Sequence, residues 1–204
     1  MRSTGVLTLM GTLLSAVLLS GCSSSMMQPV ENQTLQASTP QGAQVVFMRS
    51  AFTGKAIDAS LYDVTDGQAQ FIGIMSNATK IAYLTVPGHR TFMVVSEAAD
   101  FMEADLAAGK TYYAMVTPRM GMWKARFSMW PVSRDPNAKY SLNSDDFKDW
   151  IADTKLVTNS AKSMNWFEKS KASVEAKRVE YWPVWQKKSA EDVTARTLRS
   201  TDGQ

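Results

Sequence analysis

Between residues 43 and 132 the chain is cut into short apolar runs by turn-forming residues that recur about every ten positions, and this spacing limits the folds open to it. The runs fall at 44–49, 57–64, 69–75, 80–86, 91–97, 102–106, 111–117 and 122–132. Each has the length and residue character of a strand, and none is long and periodic enough to be a crossover helix. The connectors have matching turn chemistry. Asp66-Gly67 suits a tight hairpin with positive φ, Pro87-Gly88 suits a type II turn, and Gly109 closes the turn over 107–110. The expected fold is mainly β, an antiparallel β-sandwich of about seven to eight strands over 43–133.

A change of period marks the next boundary. Residues 134–143 are a polar connector containing Arg134, Asp135, Pro136 and Asn137, and a helical arm is expected over 144–204. Ser144 is placed as an N-cap with Asp145 and Asp146 in the first turn, and Phe147, Trp150 and Ile151 share one helix face. A second helix over 160–182 would bury Met164, Phe167, Val174 and Tyr181, with Lys171 and Arg178 interrupting the stripe and Pro183 breaking or kinking it. Ser189 and Asp192 form a capping-box-like start for a last short helix, and 201–204 reads as a frayed end.

The N-terminus supplies an address. Arg2 followed by an apolar stretch over 6–19 reads as a secretory leader, too short for a stable span of about 20 apolar residues. Its end, Leu19-Ser20-Gly21-Cys22, resembles the lipobox of bacterial lipoproteins. That resemblance implies a signal peptide over 1–21 and a lipidated Cys22. Ser23, in place of an Asp, implies the inner leaflet of a Gram-negative outer membrane, with the protein facing the periplasm. Two or more acyl chains hold a protein durably on a bilayer, each buried CH₂ contributing about 0.8 kcal/mol. Cys22 is the only cysteine, so an oxidising compartment requires no disulfide. Residues 22–42, rich in Ser, Gln, Thr and Pro, read as a flexible tether with an r.m.s. span of about 25 Å.

Three segments resemble the small PEGA-like sandwich domains of envelope lipoproteins. They are Phe71-Ile72-Gly73 after a turn, Val86-Pro87-Gly88-His89 leading into the 92–95 strand, and Ala108-Gly109-Lys110-Thr111-Tyr112-Tyr113. The likeness covers under half of the chain and implies a fold rather than a chemistry, with no catalytic residues to carry over.

The residues themselves give no enzyme signature. His89 is the only histidine and follows a Pro-Gly turn, where an exposed turn residue is the ordinary reading. Asp145, Asp146 and Asp149 suit the start of a helix, whose dipole favours acids there. Neither a phosphate-cradling Gly loop nor zinc-ligand spacing is present, so no cofactor or metal is expected. Met115, Met120, Met122 and Met129 raise a Cu(I) carrier as an alternative, although methionine is also an ordinary filler of core gaps. The formal charge of +3 is too balanced to point to nucleic acid.

Two surfaces invite a partner. Along 123–129, Trp123, Ala125, Phe127 and Met129 alternate with Lys124, Arg126 and Ser128, giving one core face and one basic face. Such a face docks anions or protects an edge strand from pairing. The helical arm carries four of the six tryptophans, and its 11 basic residues nearly balance its 10 acidic ones from Tyr140 onward. Lys124, Arg126, Trp166, Tyr181, Trp182 and Trp185 are therefore the candidate partner-binding residues. The expectation is a lipid-anchored envelope module, without catalysis, that binds an envelope protein. The alternative from another class is a cell-wall glycan hydrolase or lyase using carboxylates. Replacing the lipid-bearing residue, Cys22→Ala, should release the protein from membranes or leave its leader uncut. Unchanged fractionation with normal processing would remove the lipobox reading.

Overall fold

A computed structural model describes residues 25–51, 53–119 and 126–204. The leader, Cys22, Lys124 and the Met120/Met122 pair lie outside the described residues. In chain order the strands are β1 (Met27–Pro29), β2 (Ala43–Arg49), β3 (Ala59–Asp63), β4 (Gln70–Met75), β5 (Thr79–Thr85), β6 (Gly88–Val95), β7 (Ala99–Leu106), β8 (Lys110–Arg119) and β9 (Arg126–Pro131). Helix α1 (Asp145–Asp153), strand β10 (Lys155–Asn159), helices α2 (Ala161–Gln186) and α3 (Ala190–Thr194), strand β11 (Thr197–Leu198) and a 3-10 turn (Ser200–Asp202) complete the chain.

The strands form two sheets, ordered β1-β10-β5-β2-β8-β9 and β11-β7-β6-β3-β4. Phe47, Leu61, Phe92, Met102, Tyr112 and Val116 fill the space between them. The two outer faces are covered as well. α1 and the preceding loop place Tyr140, Phe147 and Trp150 over Val46, Met48 and Met115 of the six-stranded sheet. α2 covers Tyr62, Met93 and Phe101 of the five-stranded sheet with Phe167, Val174 and Trp185. The order of layers is therefore helix, sheet, sheet, helix. Burial on both faces explains why β2 and β3 are buried at every position and do not alternate.

The eight strands read from the sequence are present, but three expectations are corrected. The sheets are mixed, because β2 pairs with β8, β5 with β10 and β7 with β11 in parallel. A parallel pair needs a long connection but not a helical one. Between β2 and β8 the chain makes that connection through the five strands β3 to β7. Among the described residues there are eleven strands, and the extra three lie in segments read as tether or arm. They are too short to show a period. The boundaries at 42 and 144 do not separate independent parts either. β10 sits between β1 and β5, and Met27 of the expected tether is buried, its Sδ accepting from the Ile74 amide at 3.3 Å. Gln33 brackets Leu156 through both its amide and its carbonyl, at 2.7 and 3.2 Å.

The helices begin where their caps predict. The Ser144 Oγ accepts from the Phe147 amide at 3.2 Å, and Ser160 and Ser163 satisfy each other's backbone N–H groups. At the other end of α1 the Lys80 ammonium donates to the carbonyls of Ile151 and Thr154 at 2.7 and 2.6 Å, placing a cation where the helix dipole is negative. Burial pushes that ammonium below its ordinary pKa. α2 does not break at Pro183 but runs to Gln186. Met164 is exposed, and Trp185 replaces it in the buried stripe. The C-terminal residues are not frayed. The Gln204 and Thr111 backbones exchange both hydrogen bonds at 2.9 Å, and Asp202 accepts from the Ser133 hydroxyl and from the amides of Arg134 and Arg199.

Two backbone positions give opposite expectations. A Cβ on Gly203 would lie 2.6 Å from Cζ of the buried Tyr112 ring and 2.8 Å from Lys110 Cβ, neither of which can swing away. Ala78, by contrast, is a non-glycine residue held at φ +55° in the turn between β4 and β5. In thermal denaturation Gly203→Ala should cost about 1–3 kcal/mol through steric displacement. Ala78→Gly should stabilise the fold by up to about 1 kcal/mol through relief of left-handed strain.

Candidate functional site

Where β7, β9, the tail and the end of α2 meet, Arg196 is buried at 5% exposure. Its Nη2 donates to Asp100 Oδ2 at 2.6 Å and to the Phe101 carbonyl at 3.2 Å, while its Nε donates to the Met129 carbonyl at 2.6 Å. The Ser128 hydroxyl donates to the same Asp100 oxygen at 2.6 Å, and Arg119 approaches it to 3.4 Å. The guanidinium carbon lies 4.4 Å from the centre of the Trp130 ring and 5.9 Å from that of Trp185. One residue of the tail thus contacts both sheets and two aromatic rings. A buried charge is tolerated only with this degree of compensation.

Beside this pair lies a pocket of about 140 Å³. Ala99 and Phe101 of β7 line it, together with Tyr181, Val184 and Trp185 of α2, and Arg119, Arg126 and Lys188 stand around it. Arg119 and Arg126 are directly paired across the antiparallel β8–β9 ladder. Trp185 is fixed by a hydrogen bond from its Nε1 to Glu103 Oε1 at 3.1 Å. The Trp182 ring meets Phe101 edge-on at 5.2 Å between centroids.

The candidate residues named from the sequence divide into two groups. Arg126, Tyr181 and Trp185 converge on this pocket, with Trp182 packed behind it on Phe101. Trp166 lies near the far end of α2, half-buried, with its ring centroid 6.2 Å from that of Phe71. The tryptophans therefore pack on the five-stranded sheet and do not form one exposed stripe. Asp100 and Arg196 were not singled out from the sequence. They are separated by 96 positions, and nothing local in either segment marks the pairing.

Other constellations can be placed. His89 is exposed on β6, with Nδ1 3.0 Å from Asp105 and Nε2 3.6 Å from Glu103, so both ring nitrogens face carboxylates. Asp145, exposed, pairs with Lys148 at 3.1 Å in the first turn of α1. Met115 belongs to the cluster under α1 and Met129 to the core between the sheets, so they lie on opposite faces of the six-stranded sheet. Among the described residues no group of His, Cys, Asp and Glu has the arrangement of a metal site. The Tyr83 hydroxyl donates to Asp63 Oδ2 at 3.2 Å, and burial together with that carboxylate pushes it up to about 12. A cleft of about 340 Å³ under α2 is lined by Asp58, Glu97, Trp166 and Lys177 together with Ser60, Ser170 and Ser173. The Lys177 ammonium donates to the Glu97 carbonyl at 2.6 Å.

Comparison of the sequence with models of known protein families and with curated proteins finds no match.

The buried ion pair makes a measurable prediction. Arg196→Met, which leaves buried Asp100 with only the more distant Arg119 and the Ser128 hydroxyl, should cost about 3 kcal/mol in urea unfolding. The double variant Asp100→Asn/Arg196→Met should cost clearly less than the sum of the single changes, the sign of direct coupling.

Proposed function

We propose that the protein is a lipid-anchored binding or assembly module of the Gram-negative envelope, held on the outer membrane through Cys22, facing the periplasm and without catalysis of its own. The observation that carries this reading is the closeness of the folded body to the lipobox. β1 begins five residues after Cys22, and a fully extended chain covers at most about 3.5 Å per residue. A lipid on Cys22 would keep Met27 within about 18 Å of the headgroups, far tighter than a loose tether of twenty residues would. This closeness suits a module that works at the membrane surface. No helix among the described residues is long and apolar enough to cross a membrane.

The partner surface follows from how α2 packs. Its aromatic side chains are committed to the five-stranded sheet, whereas Val179 and Val184 are exposed at 60% and 59% and Arg126 is also exposed. Val179 and Val184 are exposed on the second half of α2, and Arg126 on β9 lines the same pocket as Val184. The arm cannot be removed to test this, because β10 and β11 belong to the sheets.

A second reading, carboxylate-dependent cleavage of cell-wall glycan, has one observation in its favour. Asp58 and Glu97 line the same 340 Å³ cleft as Trp166. Turnover of purified cell wall that is lost in both Asp58→Asn and Glu97→Gln would favour it over the binding reading.

In-envelope crosslinking of the full chain should capture a defined envelope protein, and capture should fall several-fold in the surface variant Val179→Ser/Val184→Ser. Equal capture by both forms would move the binding face elsewhere, and no capture by either would count against assembly.

A further inference from the structure

The pocket at the end of α2 has a charge pattern that folding alone does not explain. Arg119 and Arg126 face each other on one ladder, and like charges directly opposite in an antiparallel pair destabilise it. Lys188, from a different element, lines the same opening. The one carboxylate lining the pocket, Asp100, is already joined to Arg196 at 2.6 Å. Arg119 reaches Asp100 only at 3.4 Å, and among the described residues neither Arg126 nor Lys188 has an ion-pair partner. Protection of the β9 edge would account for a cation on that strand. It does not account for Lys188, which the turn after α2 brings to the same pocket with its ammonium 5.7 Å from the centre of the Trp185 ring.

We propose that this pocket is a phosphate-binding site, in which Arg119, Arg126 and Lys188 hold a phosphate group carried on an apolar or compact stem. Two lines of argument select the ligand. The surplus positive charge amounts to about three units, counting the two outer arginines and the lysine and taking Asp100 as balanced by Arg196. A phosphate monoester brings about −1.5 to −2 near neutrality, so it offsets about half to two-thirds of that surplus where a single carboxylate would offset a third. Guanidinium groups also present paired N–H donors that match the oxygens of a phosphate. Size is the second argument. A volume of about 140 Å³ admits one tetrahedral anion and the beginning of its stem, not a sugar ring with its substituents. The buried Ala99, Phe101 and Trp185 give the pocket an apolar floor, which suits such a stem.

The proposal deepens the binding-module reading by naming a ligand chemistry, and it does not depend on Cys22 being lipidated. Two sources supply the chemistry, a lipid headgroup or a soluble phosphate. The test uses the full chain solubilised in a nonionic detergent at fixed ionic strength. Inorganic phosphate is titrated by isothermal calorimetry, with acetate as the carboxylate comparison. Saturable phosphate binding should exceed acetate binding and weaken at least about tenfold in Arg126→Ala/Lys188→Ala, two substitutions at positions without an ion pair. It should be unchanged in Lys169→Ala, an exposed lysine on α2 away from the pocket. Soluble dihexanoyl phosphatidic acid is then added. Competition with inorganic phosphate assigns the site to a lipid phosphate, and absence of competition assigns it to a soluble one. No saturable phosphate binding, or equal binding by the double variant, would overturn the proposal. Membrane fractionation of the same variants reports separately on anchoring.

Discussion

The Asp100–Arg196 pair is the interaction on which the architecture turns. Asp100 lies on a strand of one sheet, Arg196 reaches the Met129 carbonyl on a strand of the other, and both belong to a chain whose final residues close over them. Trp130 and Trp185 enclose the guanidinium on two sides, which removes water and strengthens each charge-assisted hydrogen bond. Such a pair adds little net stability compared with an apolar substitute, since desolvation offsets most of the attraction. Its effect is to fix position, because a misplaced tail would leave a buried carboxylate without its closest charged partner.

That constraint links the layers. With Arg196 held, β11 pairs beside β7, the 3-10 turn delivers Asp202 to Ser133 and Arg134, and Gln204 zips onto Thr111. α2 must then cross the five-stranded sheet so that Trp185 meets Glu103 at one end and the Ser160 hydroxyl donates to the Met26 carbonyl at the other. At about 1.5 Å per residue its 26 residues span about 39 Å, which separates the two ends functionally. Met26 lies at the start of the helix, and the basic pocket lies near its close. A second buried cation, Arg49, has a comparable role elsewhere. It donates to the carbonyls of Ile57, Met75 and Gly54 while stacking on Phe127 at 4.6 Å, and burial pushes its pKa down.

The surface left over is unequal in character. Apolar side chains that looked available for a partner are mostly spent on covering the sheets. Among the described residues Arg126 on β9 and Lys188 just after α2 have no ion-pair partner, and this imbalance is the feature hardest to attribute to folding. Binding readings draw on it, whereas the cleft under α2 with Asp58 and Glu97 is what an enzymatic reading would need.

Local signals determined a good deal. The spacing of turn residues placed eight strands within a few positions, Gly67 and Gly109 adopt positive φ as their turns require, and Ser144 and Ser189 cap the helices that follow them. These signals are legible because turn and cap energetics act within three or four residues. Tertiary structure alone decided the rest. β1, β10 and β11 are too short to carry a period and become strands only when a neighbouring edge supplies hydrogen bonds. Parallel pairing of β2 with β8, packing of the tryptophans on their own sheet, and the meeting of Arg126 with Lys188 all join residues far apart in sequence. Such contacts depend on which faces the folded layers leave to be covered, and no local pattern encodes that.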